Sequence, residues 1–197
     1  LRINRRDTNF AKSLLIYKKN MLVFPLLNTS RLKLRKLTPD DFESLVQKAN
    51  NKKISDEIIN IPYPYELHHA VHRMSYVVKG FEAKTRFVFA IALKSSNELI
   101  GEISLHLENE NKAQIGYWVA ESEWNKGYAS EAISAMSDFG FTKLDLHMIY
   151  ATCSDYNLAS ISVLLKNRFA FYEKNNNIHT YIKNKGNNSG VWFQIKK

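Results

Sequence analysis

The sequence predicts an α+β fold, because strand-like and helix-like stretches follow one another in mixed order. Two β-rich apolar runs, residues 87–93 and 99–107, are separated only by a polar turn, which indicates an antiparallel hairpin. A third run, residues 113–120, leads into residues 129–141, where apolar side chains recur at helical spacing. The chain has 197 residues and 45% hydrophobic content, so we expect one domain with a sizeable core.

The first half of the chain is predicted to hold one strand and three helices before the hairpin. Residues 32–37 favour a strand, and Pro39-Asp40-Asp41 supplies a helix start with an acidic first turn. Residues 53–61 favour a short helix, which Pro62-Tyr63-Pro64 brings to an end. A longer helix, residues 66–83, follows with apolar side chains along one side.

The second half alternates in the same way. After the helix at residues 129–141, residues 147–152 favour a strand and residues 157–166 a helix. Residues 169–174 and 191–195 are predicted as closing strands around a polar loop rich in Asn, Lys and Gly.

A turn with one glycine joins the strand at residues 113–120 to the helix that follows. Its sequence is Trp124-Asn125-Lys126-Gly127-Tyr128-Ala129. The first N–H groups of a helix have no intrahelical partner, and the helix dipole is positive at this end. Both features suit a phosphate or pyrophosphate, and Lys126 adds a mobile charge. The sequence therefore predicts a phosphate-cofactor site here.

These residues resemble the acetyl-CoA pyrophosphate loop of the GCN5-related N-acetyltransferases (GNAT), whose general pattern is Gln/Arg-x-x-Gly-x-Gly/Ala. The leading Trp124 and the ending Gly127-Tyr128-Ala129 are similar to the RimJ/RimL branch, which acetylates protein N-termini and other amines. The resemblance runs from about residue 28 to the C-terminus. It implies the GNAT fold: a central mixed, mostly antiparallel twisted sheet, with helices on both faces and a splayed strand pair that holds acetyl-CoA.

The resemblance also implies which residues bind acetyl-CoA. The splayed strand contributes backbone groups, the loop binds the pyrophosphate, and one amide side chain bonds the pantetheine arm; no metal is implied. These residues are Tyr117, Trp118, Val119 and Ala120 on the strand, Lys126, Gly127, Tyr128, Ala129 and Ser130 in the loop, and Asn157. The side chains of Tyr117 and Trp118 are interpreted as core packing.

Acetyl transfer requires a neutral amine and a thiolate that is protonated as it leaves. Many relatives place a tyrosine acid where this chain has Leu164, so we expect Ser160, which matches the donor proposed in RimL-like enzymes, to take that role. Two residues are candidate bases: Glu102, on the predicted strand, and His179, beyond the closing strand. Cys153 is interpreted as a packed side chain, because direct amine attack needs no covalent acyl-enzyme.

Two positions depart from the family pattern. The helix predicted at residues 157–166 resembles the family's second cofactor-side helix, which usually ends with Gly-Phe. Here that pair is Arg168-Phe169, so we expect Asn167 to take the left-handed position or the turn to be rebuilt. Asn125 replaces a frequent second glycine in the loop. Either departure bears on the affinity for acetyl-CoA.

The net charge raises the question of a nucleic-acid partner, and three histidines raise that of a metal ion. The positions of these residues argue against both. The net charge of +9 divides into +5 in residues 1–20, +6 in residues 166–197 and −2 between them, a pattern that does not predict a nucleic-acid surface. His68, His69 and His72 lie at helical spacing, but no further ligand converges on them, so we interpret them as a solvated or substrate-facing surface.

The expected function is therefore acetyl-CoA-dependent N-acetylation of a primary amine by direct attack. The acceptor is a protein N-terminus, such as that of a ribosomal protein, or a small-molecule amine. Glu57, Glu66 and Glu82 are candidates to attract it. Two alternatives stay open: an inactive acetyl-CoA-binding module, and a basic nucleic-acid-associated protein.

The chain is further expected to act in the cytoplasm as a monomer or homodimer. The single Cys153 fits a reducing compartment, and no run of about 18–20 apolar residues predicts a membrane span. Residues 1–20 are interpreted as an extension or appendage, and residues 21–197 as the acetyltransferase domain.

Overall fold

The computed structural model describes residues 23–172 and 190–197. Within them the chain forms eight strands and five α-helices. The strands are β1 Leu27–Asn28, β2 Leu32–Arg35, β3 Arg86–Leu93, β4 Leu99–Glu108, β5 Lys112–Val119, β6 Met148–Ser154, β7 Ala170–Phe171 and β8 Gly190–Lys196. The helices are α1 Phe42–Ala49, α2 Lys52–Glu57, α3 Leu67–Glu82, α4 Tyr128–Lys143 and α5 Leu158–Lys166. The predicted extension, residues 1–20, and the predicted base His179 lie outside the described residues.

The predicted order of elements is confirmed, with differences at their ends. The helix predicted at residues 53–61 stops earlier, at Glu57. The strand predicted from residue 169 is limited, in the described part, to Ala170–Phe171. The two-residue strand β1 was not predicted, because so short a segment carries no periodicity.

One eight-stranded sheet organises the domain, in the order β1-β2-β3-β4-β5-β6-β8-β7. Every neighbouring pair is antiparallel except β5 and β6, which are parallel. Parallel strands need a crossover connection, and α4 supplies it between β5 and β6. The predicted mixed, mostly antiparallel sheet is confirmed.

Helices cover both faces of the sheet, as expected. On one face α4 and α5 pack through residues such as Met136 and Leu164. On the other face α1, α2 and α3 pack through residues such as Leu45, Ile54 and Val77. We call these the α4/α5 face and the α1–α3 face. None of the helices in the described residues combines the length and the apolar content needed to cross a membrane.

Alternation along β5 and β6 assigns their side chains to the two faces. Ile115, Tyr117 and Val119 on β5 join the core of the α4/α5 face, together with Ala151 and Cys153 on β6. Successive strand residues point to opposite faces, so Trp118 and Ser154 belong to the α1–α3 face.

Candidate functional site

An opening in the sheet separates the second halves of β5 and β6. Only three residue pairs join these strands, ending at Gln114↔Tyr150. Beyond that point β5 stays paired with β4 as far as Val119, and β6 stays paired with β8 as far as Ser154. The two strands therefore diverge, and their backbone groups face each other without a ladder. We call this opening the cleft; it is the splayed pair that the resemblance implies.

The predicted phosphate loop lies where β5 passes into α4. Asn125 and Gly127 adopt left-handed backbone angles, with φ of 61° and 80°. Glycine accepts this region freely and Asn more readily than most residues, so the Asn125 departure fits the turn. Gly127 is the N-cap of α4 and no side chain caps this end. The first N–H groups of α4 are thus left for an anion.

Two contacts fix the loop from its own side. The Trp124 indole Nε1 donates to the Val119 carbonyl at 2.7 Å. The Lys126 ammonium pairs with Glu123 at 3.0 Å, and about half of the Lys126 side chain is exposed. Lys126 lies at the predicted place, and its charge is already partly balanced by its neighbour.

Arg31 ties the turn between β1 and β2 to this loop, a role that the sequence did not reveal. Its Nε donates to Glu131 Oε2 at 2.7 Å and its Nη1 to the Lys126 carbonyl at 2.8 Å. Its guanidinium also lies 4.6 Å from the centre of the Tyr128 ring. These contacts hold the loop from the outside and leave the N–H groups at the start of α4 unused. The predicted strand begins at residue 32, and the turn before it was not predicted.

Glu131, in the first turn of α4, is the anchor of that turn. It accepts hydrogen bonds from Thr29 Oγ1, from Ser30 Oγ at 2.9 Å and from the Arg31 backbone N–H at 2.8 Å. Burial alone would raise the pKa of Glu131, but these hydrogen bonds lower it to about 2. The carboxylate is therefore charged and neutralised locally, which limits its repulsion of a nearby phosphate.

An open groove of about 640 Å³ lies beside the loop. It is bounded by the turn after β1, the first half of α4 and the end of α5. Lys126, Gly127, Ser130 and Lys166 are among the residues that line it. The Asn167 amide donates to Ser130 Oγ at 2.9 Å and so joins the end of α5 to α4.

Ser160 lies across the cleft from β5, on the first turn of α5. Its Oγ is 2.8 Å from the Tyr117 hydroxyl, and either atom can donate. Burial raises the pKa of Tyr117 to about 12, although the bond with Ser160 acts against it, so the phenol is neutral at pH 7. The core-packing interpretation of the Tyr117 side chain misses this polar contact. Burial also raises the pKa of the Cys153 thiol, so the thiolate is disfavoured.

Asn157 caps α5, and both polar atoms of its amide make a hydrogen bond. Its Oδ1 accepts from the Ser160 backbone N–H at 3.0 Å, and its Nδ2 donates to Glu57 Oε2 at 2.9 Å. Ser154 Oγ donates to the same Glu57 oxygen at 3.0 Å. Asn157 thus positions Ser160, and the pantetheine bond implied for its amide stays a prediction.

Glu102, a predicted base, is buried in an ion pair on the α1–α3 face. Its carboxylate lies 3.2 Å from Arg73 Nη2 and accepts from the Trp118 indole Nε1 at 3.0 Å. Only 3% of its side chain is exposed. Burial acts to lower the pKa of Arg73, but the Glu102 carboxylate raises it above its ordinary value. The contacts favour a role in fixing Trp118, and the base role stays a prediction.

The histidine cluster on α3 participates in capping and stacking. His69 Nδ1 accepts from the Glu66 backbone N–H at 3.0 Å, and the His68 and His69 rings lie 3.8 Å apart. Among residues 23–172 and 190–197, no group of three or more His, Cys, Asp or Glu is arranged to hold a metal ion.

Comparison with known proteins assigns the family. The model of the acetyltransferase (GNAT) domain matches residues 31–170. YoaA of Bacillus subtilis is 30% identical over 149 residues, covering 75% of this chain and 84% of YoaA. The p20 protein of Bacillus licheniformis is 32% identical over 163 residues, covering 81% and 89%. Both are described as uncharacterized N-acetyltransferases.

A solved structure supports the same fold. Mycobacterium smegmatis RimJ, in complex with CoA-disulfide, aligns with a TM-score of 0.74 at 19% identity, covering 88% of each chain. At that identity the likeness concerns the fold. The predicted membership of the GNAT family is confirmed, and the fold is similar to that of a RimJ protein.

Proposed function

Because the chain belongs to the GNAT acetyltransferase family, we propose that it moves the acetyl group of acetyl-CoA to a primary amine by direct attack. The acceptor is a protein N-terminus or a small-molecule amine, bound at the same time as acetyl-CoA. One observation carries this proposal: the cleft between β5 and β6 ends at an uncapped helix whose preceding turn holds Asn125 and Gly127 in left-handed conformations. The cleft suits the extended pantetheine, and the helix start suits the pyrophosphate.

The residues present fit acetyl-CoA at each of its parts. The backbone of residues 117–120 offers groups to the pantetheine amides, since β5 has no ladder partner on its cleft side there. The N–H groups of Tyr128, Ala129 and Ser130 are available for the pyrophosphate. The groove lined by Ser130 and Lys166 suits the adenosine end, since it opens beside the loop.

Ser160 is proposed as the proton donor to the departing sulfur. A thiolate leaves more readily when it receives a hydrogen bond or a proton. Ser160 Oγ can donate to the sulfur while it accepts from the neutral Tyr117 hydroxyl, so the pair forms a short relay. Asn157 holds Ser160 at the first turn of α5 by its bond to the Ser160 N–H.

The first experiment is titration calorimetry of acetyl-CoA into the protein, with desulfo-CoA and ATP as controls. We expect one-to-one binding in the micromolar range that ATP does not match, with desulfo-CoA binding because it keeps the pyrophosphate and pantetheine. The absence of acetyl-CoA binding would refute the proposal.

Turnover is then measured as release of free CoA thiol with a panel of amines. The panel contains a peptide with a free N-terminal serine, spermidine, an amino-acid amide and kanamycin. We expect at least one to be acetylated. Binding without turnover of any amine would instead favour the inactive binding module.

A further inference from the structure

Glu57, the last residue of α2, contacts both the end of β6 and the start of α5. Its Oε2 accepts from Ser154 Oγ at 3.0 Å, at the end of β6, and from Asn157 Nδ2 at 2.9 Å, at the start of α5. About 100 residues of sequence separate these partners from Glu57, so the contact is a product of the fold. The carboxylate is half-buried.

Glu57 and Ser160 approach the cleft from opposite faces of the sheet. The helix α2 packs on the α1–α3 face through Ile54, and Ser154 belongs to that face by alternation along β6. Tyr117 packs in the core of the α4/α5 face, and its hydroxyl bonds Ser160. Asn157 is bonded to both Glu57 and Ser160 and therefore connects the two faces.

The other end of α2 is anchored to the end of β5. The Asn51 amide donates to Glu121 Oε2 at 2.6 Å, and the Lys53 ammonium pairs with the same carboxylate. Glu121 follows β5 directly. Thus α2 spans the cleft from the end of β5 to the end of β6, and Glu57 is held at a defined place above it.

The Glu57 carboxylate forms no ion pair with another described residue. Among residues 23–172 and 190–197, no Lys, Arg or His nitrogen lies within 4.0 Å of it, whereas Glu102, Glu121 and Glu131 each pair with a cation. Its two donors are neutral and both use Oε2, so Oε1 has no donor in the described part of the chain. Its charge also reaches Cys153 on the α4/α5 face: burial is the main cause that raises the pKa of the Cys153 thiol, a hydrogen bond with Ser160 acts against it, and Glu57 adds a smaller increase.

We propose that Glu57 is the catalytic carboxylate that binds the ammonium group of the acceptor and takes its first proton. This role rests on the proposed function, since it requires acetyl-CoA in the cleft and an amine on the α1–α3 face. The acceptor class it selects is a primary amine that is protonated at neutral pH.

The proton balance is complete without another reactant. The ammonium R–NH₃⁺ gives one proton to Glu57, which passes it to water, and R–NH₂ forms a C–N bond to the acetyl carbon as the C–S bond breaks. The second nitrogen proton is lost as the amide forms and matches the proton that the thiolate receives through Ser160. The products are R–NH–COCH₃, CoA–SH and one H⁺ in water.

The test compares Glu57→Gln with Asp56→Asn, each of which removes one negative charge from α2. Asp56 is a matched control because its carboxylate pairs with Lys52 on the exposed surface at 2.7 Å. Gln keeps an oxygen that can accept from Ser154 and Asn157. For each protein we measure acetyl-CoA binding by calorimetry and kcat/KM for the amine of the panel that the unmodified protein acetylates.

We expect Glu57→Gln to lower kcat/KM for the amine by about 100-fold, a usual loss for one acid–base group. Acetyl-CoA binding should stay unchanged, and Asp56→Asn should match the unmodified protein. Equal kcat/KM in the two variants would overturn the role of Glu57. A parallel loss of acetyl-CoA binding in Glu57→Gln would also overturn it, since Glu57 would then only brace Asn157. If the unmodified protein acetylates none of the amines, the proposed function itself fails, and this role fails with it.

Discussion

Replacing Arg168 with Gly should stabilise the protein by about 0.5–1 kcal/mol, because Arg168 occupies a backbone conformation that glycine adopts more readily. The Arg168 N–H bonds to the Leu165 carbonyl at 3.0 Å, and the Phe169 N–H bonds to the Leu164 carbonyl at 3.1 Å. These are the two hydrogen bonds of a Schellman motif, and Phe169 and Leu164 supply its apolar contact in the core. Arg168 holds the left-handed position with φ of 62°.

The magnitude follows from two opposing effects. A side chain in the left-handed region costs about 1–2 kcal/mol, while glycine loses about 0.5–1 kcal/mol more backbone entropy on folding. The net gain is about 0.5–1 kcal/mol, which for a chain of this size is about 1–4 °C in Tm. The hydrogen bonds of the motif are unchanged, since both involve only backbone atoms.

The assay is urea denaturation of Arg168→Gly and Arg168→Ala beside the unmodified protein. Both variants lose the same charge at the end of α5, so any favourable contribution of the arginine to the helix dipole cancels. Only Arg168→Gly removes the steric cost of the left-handed conformation, because alanine keeps a Cβ atom. A free energy of unfolding for Arg168→Gly no higher than that for Arg168→Ala would refute the reasoning.

Four further predictions concern the site and its supports. Ser160→Ala should lower kcat about 100-fold with unchanged acetyl-CoA affinity; unchanged turnover would remove Ser160 from the mechanism. Arg31→Met should weaken acetyl-CoA binding about tenfold by calorimetry, because the loop loses its outer support; equal affinity would contradict that. Arg73→Met should lower the free energy of unfolding by about 3–5 kcal/mol, because Glu102 would be left buried without its cation. The double variant Arg73→Met/Glu102→Leu should recover most of this loss. A small loss in the single variant would refute the prediction. Burial lowers the pKa of His106 to about 4, with smaller contributions from the charges of Arg73 and Arg86. Between the two pKa values the unfolded chain therefore binds a proton that the folded chain does not. The unfolding free energy should therefore fall by up to about 3 kcal/mol as the pH drops from about 6.5 to about 4, and a curve that His106→Asn leaves unaltered would contradict this origin.

The order of elements and the turn before α4 could be predicted because their signals are local. Residues 129–141 show helical spacing, and the single Gly127 marks the turn before them. The hairpin of β3 and β4 is separated by only a few polar residues. Such patterns depend on neighbours in sequence and are visible without coordinates.

The charged contacts around the site could not be predicted, because they join residues far apart in sequence. Arg31 meets Glu131 at a separation of 100 residues, and Glu57 meets Ser154 at a separation of 97. Neither pair has a spacing that a periodic pattern would show. The burial of Glu102 depends on its ion pair with Arg73. Arg73 lies on α3, and the sequence does not show which strand residues α3 contacts.

The turn after α5 shows a limit of a different kind. Two outcomes were expected: Asn167 in the left-handed conformation, because Asn tolerates it better than Arg, or a rebuilt turn. Neither is found, since Arg168 itself takes the left-handed position of an intact turn. The structure gives Asn167 a φ of −92° and uses its side chain to bond Ser130 and the Val163 carbonyl. Its amide therefore ties α5 to α4 and back to its own helix, and the backbone strain falls on the next residue. Conformational preferences of single residues do not reveal that these side-chain hydrogen bonds place the left-handed conformation at Arg168.

The short pairing of β5 with β6 makes this sheet two sub-sheets that share a narrow seam. Three residue pairs cross the seam, against eight between β4 and β5 and seven between β6 and β8. Amide hydrogen exchange should therefore reveal two cooperative units that open separately, with the boundary at Gln114 and Tyr150. A ligand that forms hydrogen bonds with both strand edges would replace the inter-strand hydrogen bonds that β5 and β6 do not make beyond this point. At a concentration of about 100 times its Kd such a ligand adds about 2.7 kcal/mol to the folded state, which raises the free energy at which the two units separate.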